Sequence, residues 1–169
     1  ELCDDPEFAA TGYANGVPMG GEIGPTSGKK SPTFAVAAMR DPGGNGDPST
    51  PLQRIQIVKG WVDEDGNAQE VVYDVAGDPD NGADVDLDTC TPTGSGFDNL
   101  CTVWKDPKFK VEQRAFYYAR VLENPVCRWQ THLCNSLGVD CDDPGSIPTE
   151  YEPCCFGTAS TIKTIQERA

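Results

Sequence analysis

The stretch LQRIQIVKGWVDEDGNAQEVVYDVA, residues 52–76, decides the fold class of this chain. Residues 52–62 predict a strand. Its alternation puts Ile55 and Ile57 on the same side, and Lys59 as well if the alternation continues. The last part of the stretch, residues 69–76, alternates in the same way. The Asp-Gly pair at 65–66 tolerates the left-handed backbone that tight hairpin turns need. The stretch therefore predicts an antiparallel hairpin.

Three other segments predict strands: residues 33–40, 101–104 and 115–122. The last of these is aromatic and apolar along its length, which favours a central position in a sheet. No alternation of strands with helical segments occurs. The chain is therefore predicted to be mainly β, with an antiparallel β-sandwich similar to immunoglobulin-like domains.

The sequence divides into three parts around this sandwich. Residues 33–125 supply the strands, and residues 1–32 form a loop-rich N-terminal segment that packs on them. Residues 126–169 form a cysteine-rich appendage. Its last ten residues, 160–169, predict a short C-terminal helix, because Ile162 and the isoleucine three positions later share one helical face.

Composition excludes several classes of function. The chain has 169 residues, with 13 Lys+Arg against 27 Asp+Glu and a net charge of −14. This negative field disfavours nucleic acids and anionic membrane surfaces. No apolar run approaches the ~20 residues that cross a bilayer, and the N-terminal sequence is not a signal peptide. We expect neither a nucleic-acid partner nor membrane insertion.

The eight cysteines predict a set of disulfides: Cys3, Cys90, Cys101, Cys127, Cys134, Cys141, Cys154 and Cys155. An even, dense set without any C-x-x-C pair favours bridges over a zinc site, and therefore a periplasmic or secreted protein. The favoured local pairs are Cys90–Cys101 and Cys134–Cys141, with the other four in longer links. The adjacent pair at 154–155 is expected to bond two different partners, because a bridge between neighbours is strained.

One acidic loop is a candidate calcium site through Asp78, Asp80, Asp84, Asp86 and Asp88. Calcium is bound by six to eight oxygens from a flexible loop, and alternating carboxylates supply such ligands. The spacing does not match the helix-flanked calcium loop, and no glutamate occupies the bidentate position. The alternative interpretation is a solvated acidic loop.

Catalytic residues are not evident in the sequence. His132 is the only histidine, and its neighbour Cys134 belongs to the oxidised set, so a surface or capping histidine is favoured over a cysteine nucleophile. Five aromatic residues are candidates for a carbohydrate platform, although core packing is the favoured interpretation: Trp61, Trp104, Trp129, Tyr117 and Tyr118.

Five segments form a recognisable series along the chain: GYANGVPMGG at 12–21, LQRIQIVKGW at 52–61, FYYARVLENP at 116–125, CRW at 127–129 and CC at 154–155. In that order they resemble the C-terminal part of the domain-of-unknown-function family 3604. The resemblance implies a longer, exported bacterial protein whose N-terminal part is similar to metal-dependent phosphoesterases of the polymerase-and-histidinol-phosphatase type. No family catalytic residue carries over to a position in this chain.

The expected function is therefore that of a non-catalytic C-terminal accessory domain of a larger exported, hydrolase-like protein. Its expected partner is the N-terminal catalytic-like region of the same protein. The alternative is a stand-alone extracellular binding module for calcium or glycans.

Overall fold

The computed structural model describes residues 2–24, 30–44, 49–143, 145, 147–156 and 162–168. It is mainly β and antiparallel, as predicted. The strands are β1 (Thr33–Met39), β2 (Leu52–Val62), β3 (Ala68–Gly77), β4 (Asp84–Asp86), β5 (Thr91–Thr93), β6 (Asn99–Lys105), β7 (Ala115–Glu123), β8 (Val126–Cys127) and β9 (Thr164–Ile165). The helices are α1 (Phe8–Asn15), α2 (Trp129–Ser136) and 3₁₀ turns at Leu2–Asp4 and Thr149–Cys154. No helix in these described ranges is long and apolar enough to span a bilayer.

The predicted hairpin is confirmed. β2 and β3 pair antiparallel from Val62 opposite Ala68 to Arg54 opposite Gly77, with a bulge near Ile55. The Asp63 carboxylate fixes the turn between them, because its Oδ1 accepts hydrogen bonds from the backbone N–H groups of Asp65 and Asn67. β7 pairs with the other edge of β2, so the sheet has the order β3-β2-β7.

A second sheet, β1-β6, faces the first across the core. Leu52 and Ile55 from β2 pack against Leu100 of β6 in the centre of this core. The partly buried residues around them come from both sheets and from the segment before β6, which supplies Phe97: Val36, Ala38, Val75, Ala76, Phe97 and Val121. Two antiparallel layers with an apolar interface are compatible with the predicted sandwich.

The predicted central position of residues 115–122 is wrong. β2 lies in the middle of its sheet, and eight of its eleven residues are buried. β7 lies at the edge, where inward residues alternate with exposed ones such as Phe116. Only a middle strand has neighbours on both sides and side chains covering both of its faces. Aromatic content alone did not distinguish these positions.

The predicted C-terminal helix is also wrong for the residues that the structure describes, 162–168. β9 pairs with β8, and Arg168 forms a bridge to Leu122 of β7. The N–H of Glu123 donates to the carbonyl of Glu167 at 3.2 Å. A ten-residue helix is marginal by itself, whereas these strands offer unpaired backbone groups. Residues 160, 161 and 169 of the predicted helix lie outside the described residues.

The N-terminal segment contains more regular structure than the predicted loops. The Asp5 carboxylate accepts hydrogen bonds from the Thr11 hydroxyl at 2.7 Å and from the Glu7 N–H at 2.8 Å, at the start of α1. These two bonds lower the pKa of Asp5, with the Thr11 bond the larger cause. A disulfide from Cys3 to Cys101 then fastens the segment to β6.

Two glycines with the same backbone angle provide a stability test. Gly77 and Gly66 both have φ of +83°, but a Cβ at Gly77 would lie 2.3 Å from the Gln53 carbonyl oxygen, whereas Gly66 faces open space. We expect Gly66→Ala to lower the free energy of unfolding by about 1 kcal/mol and Gly77→Ala by roughly 2 to 3 kcal/mol. Urea unfolding measures both. Equal losses would contradict the close backbone contact at Gly77.

Candidate functional site

All eight cysteines are paired in the structure, as Cys3–Cys101, Cys90–Cys127, Cys134–Cys154 and Cys141–Cys155. The predicted local pairs Cys90–Cys101 and Cys134–Cys141 are both wrong. Tertiary neighbours decide the pairing: β6 carries Cys101 beside the N-terminal 3₁₀ turn, and the Thr149–Cys154 turn packs on α2. The adjacent cysteines do bond two different partners, as expected. Several bridges indicate an oxidising setting.

The most strongly charged buried group is an ion pair between the two sheets. The Lys59 ammonium on β2 lies 2.6 Å from Asp106 Oδ2, and the two side chains are 2% and 0% exposed. Lys59 Nζ also donates to the Lys108 carbonyl at 3.1 Å. The Lys108 N–H in turn donates to Asp106 Oδ1 at 2.7 Å. Each charge therefore has hydrogen-bonding partners as well as a counter-charge, which buried ions require.

Aromatic rings enclose this ion pair. The Tyr117 hydroxyl donates to Asp106 Oδ2 at 2.7 Å, and Lys59 Nζ lies 5.4 Å from the centre of the Trp61 ring. Burial opposes ionisation of Asp106, but the hydrogen bonds from Lys59 and Tyr117 outweigh it and lower its pKa. Burial, together with the charge of Asp106, raises the pKa values of Tyr117 and Tyr73. The ammonium and the carboxylate are shielded from solvent, the surrounding Trp61 and Tyr117 rings are half-buried, and the ion pair links β2 to the residue that follows β6.

The sequence pattern indicated Lys59 only as the next residue of an apolar strand face, and it did not indicate the partner, Asp106. The available signal was a lysine on the core side of a buried strand, because such a residue is almost never fully buried without a counter-charge. The sequence does not indicate which of the 27 acidic residues supplies that charge.

The five aspartates of the predicted calcium loop do not converge. No three of their carboxylates lie within 4.8 Å of one another, among the residues that the structure describes. Three of them accept hydrogen bonds from nearby backbone N–H groups. The Asp80 N–H, for example, donates to Asp78 Oδ1 at 2.9 Å. Asp86 accepts from Thr89 and Asp88, and these bonds lower its pKa. The structure therefore adds no coordination geometry to the calcium prediction.

His132 is exposed on α2, and its ring lies within 4.8 Å of the sulfurs of Cys90 and Cys127. Those sulfurs form a buried disulfide, whereas a nucleophile or a metal ligand must be a thiolate. The Asn135 amide donates to the Leu87 carbonyl at 2.8 Å and so holds α2 against this bridge. The arrangement is structural.

The residues of the predicted carbohydrate platform lie in three different places: against Phe34 of β1, on α2 and on the outer side of β7. Trp104 and Tyr117 pack inside, since each ring contacts Phe34 of β1, at 5.8 Å and 4.6 Å between centroids. Trp129 is exposed on α2, away from the sheets. Tyr118 is exposed on the other side of β7, where it stacks with a residue that sequence reasoning missed, Phe116. Phe116 could have been found from the sequence, because it lies two positions before Tyr118 and side chains two positions apart point to the same side of a strand.

The outer face of the three-stranded sheet, which points away from β1 and β6, is made of three rows of facing residues. The rows are Glu70, Gly60 and Phe116; then Val72, Val58 and Tyr118; then Asp74, Gln56 and Arg120. In the third row the Gln56 amide nitrogen donates to Asp74 at 2.7 Å. The Arg120 Nε donates to the Gln56 amide oxygen at 2.6 Å. The outer face therefore combines an aromatic end with an ordered polar row.

Comparisons with known proteins give one result. The model of a family described as "Protein of unknown function (DUF3604)" matches residues 1–151. Comparison with curated proteins and with solved structures finds no match.

Proposed function

The chain belongs to the family of proteins of unknown function DUF3604, and from that premise we propose that it is a non-catalytic accessory domain of a larger, exported, hydrolase-like protein. The N-terminal part of the full-length protein resembles metal-dependent phosphoesterases of the polymerase-and-histidinol-phosphatase type. Such enzymes bind their metals through histidine and aspartate clusters, and this chain contains one histidine. Its partner is that catalytic-like region of the same protein.

The observation that carries this proposal is the burial of Lys59 and Asp106. A hydrolase needs a Lewis acid, or a positioned base and nucleophile, that substrate can reach. The Lys59–Asp106 cluster is enclosed between the sheets, with side chains that are 2% and 0% exposed. The exposed aspartates bond to their own loop instead of converging. Both arrangements suit a domain that supports a fold.

The four disulfides support export as part of the proposal. Bridges of this number persist where the environment is oxidising, and rarely in a reducing cytosol. The proposed location is accordingly the periplasm or the exterior of the cell.

The activity test uses the purified, oxidised chain. We expect no hydrolysis of an activated phosphate monoester or diester above the buffer rate, with Mg²⁺, Mn²⁺ or Zn²⁺ added, because the loop aspartates do not converge and the Lys59–Asp106 pair is buried. A product of the longer reading frame, assayed beside it, is expected to turn over the same esters. Turnover by the chain alone that is abolished by Asp84→Asn and Asp86→Asn would overturn the accessory function.

A further inference from the structure

We propose that the outer face of the β3-β2-β7 sheet binds a neutral polysaccharide, with sugar rings stacked on Phe116 and Tyr118 and their hydroxyls bonded by the Asp74–Gln56–Arg120 row. This binding function is separate from the accessory role and does not depend on it. It also replaces the platform predicted from sequence, since two of those five aromatic rings pack against Phe34 of β1 and do not lie on this face.

The first argument is the geometry of the two rings. Phe116 and Tyr118 have centroids 6.4 Å apart and planes within 8° of parallel. Their side chains are 60% and 39% exposed, although both belong to a well-packed strand. A pyranose presents an apolar C–H face and a rim of hydroxyls, so a flat exposed ring with polar groups beside it matches its surface.

The second argument is the rigid support beneath the rings. Gly60 lies opposite Phe116, and a Cβ built on Gly60 would come within 2.2 Å of the Phe116 ring. The ring therefore occupies space that only glycine leaves open. Val58, opposite Tyr118, is 0% exposed and fills the centre of the face. Aromatic groups held in this way lose little conformational freedom when a ligand binds.

The third argument is the polar row next to Tyr118. Asp74 Oδ1 accepts from the Gln56 amide and also forms an ion pair with Arg54 Nε at 3.0 Å, and the Gln56 amide oxygen accepts from the Nε of Arg120. Within the described part of the chain, no hydrogen bond occupies Asp74 Oδ2 or the two terminal nitrogens of Arg120. An acceptor and several donors thus remain in a fixed order, and a sugar hydroxyl both donates and accepts.

The fourth argument is electrostatic and selects the class of ligand. Stacked rings also bind the bases of single-stranded nucleic acids, but such sites lie in positively charged grooves. The chain carries a net charge of −14, which sets the field around this face, whereas on the face itself Glu70 and Asp74 are matched by Arg120 and by Arg54, whose Nε lies 3.0 Å from Asp74 Oδ1. Phosphate backbones and uronic-acid polymers are repelled by this field. A neutral chain of sugars is the occupant that both the rings and the charge permit.

The test is affinity electrophoresis through gels containing mixed-linkage β-glucan, xylan or galactomannan, with polygalacturonate as the acidic comparison. We expect at least one neutral polymer to retard the chain, and polygalacturonate to leave its mobility unchanged. Phe116→Ala and Tyr118→Ala are each expected to lower the association constant about tenfold. Trp129→Ala is the matched control, because that indole is 72% exposed but lies on α2.

A third variant separates ring position from ring loss. Gly60→Ala keeps both aromatic side chains but displaces the Phe116 ring, so it is expected to weaken binding while the melting temperature stays near that of the unmodified chain. Phe116→Leu retains an apolar group without a flat face, and it replaces Phe116→Ala if the latter fails to fold. Three results would each overturn the proposal: no retardation by any neutral polymer, retardation unchanged by both aromatic substitutions, or preferred binding of polygalacturonate.

Discussion

Replacement of Lys59 by methionine is expected to lower the free energy of unfolding by about 3–5 kcal/mol. The substitution keeps most of the side-chain volume but leaves the Asp106 carboxylate in the core without a counter-charge. Asp106 retains the hydrogen bonds from Tyr117 and from the Lys108 N–H. Those two bonds do not replace the ammonium at 2.6 Å. Urea unfolding of the oxidised chain at neutral pH, followed by tryptophan fluorescence, measures the loss.

Two comparisons establish that the loss comes from an unpaired buried charge. Asp98→Asn breaks an ion pair with Arg40 in which the aspartate is 76% exposed, and it is expected to cost at most about 1 kcal/mol. The double variant Lys59→Met with Asp106→Leu removes both charges and is expected to recover much of the lost stability. If Lys59→Met costs no more than Asp98→Asn, the pair does not hold the sheets together.

The Lys59–Asp106 pair also makes the free energy of unfolding depend on pH. Because the pKa of Asp106 is lowered in the folded chain, the folded state holds this carboxylate ionised more strongly than the unfolded state does. Its contribution is complete above the unfolded value of about 3.9 and is lost as pH falls through the lower, folded value. Asp106→Asn should remove that part of the acid dependence.

Removal of the Cys3–Cys101 bridge, by changing both cysteines to serine, is expected to lower the free energy of unfolding by about 4.7 kcal/mol. The bridge spans 98 residues of chain, so its loss frees the largest loop in the unfolded state. It also releases the N-terminal 3₁₀ turn from β6. Thermal and urea unfolding without reductant measure the effect.

The Cys141–Cys155 bridge is the matched control. It spans only 14 residues, and the neighbouring Cys134–Cys154 bridge already holds the same two segments together. Its replacement by two serines is expected to cost no more than about 3 kcal/mol. A smaller loss for the 98-residue bridge than for this one would show that strain or residual unfolded structure, and not loop length, decides the stability.

The strands of this protein could be predicted because their signals are local. Alternation along residues 69–76 and an Asp-Gly turn are enough to define the hairpin, and both are visible in one window of sequence. The order of strands in the sheet is not a local property. β2 became the middle strand because residues 115–123, which follow it by more than fifty positions, pair with its free edge.

The disulfide pairs and the buried ion pair were missed for the same reason. Cys90 is closer in sequence to Cys101, but the fold places it beside Cys127. Asp106 is 47 residues from Lys59, in a loop whose turn residues explain it fully without any core role. Sequence spacing predicts contacts across a turn, whereas these contacts depend on how two sheets face each other. Phe116 was missed as a binding residue because its exposure makes it a candidate, and the sequence shows the residue type but not the exposure.

The arrangement of the four bridges also bears on how the protein withstands proteases. The Cys3–Cys101 and Cys90–Cys127 bridges overlap along the chain, so one cut anywhere between residues 3 and 127 leaves both pieces covalently joined. The other two bridges protect residues 134–155 in the same way. Residues 128–133 are the only covalent link between these two blocks. Most of that connection is folded into α2, so the one cut that separates the blocks falls where the backbone is already engaged in a helix.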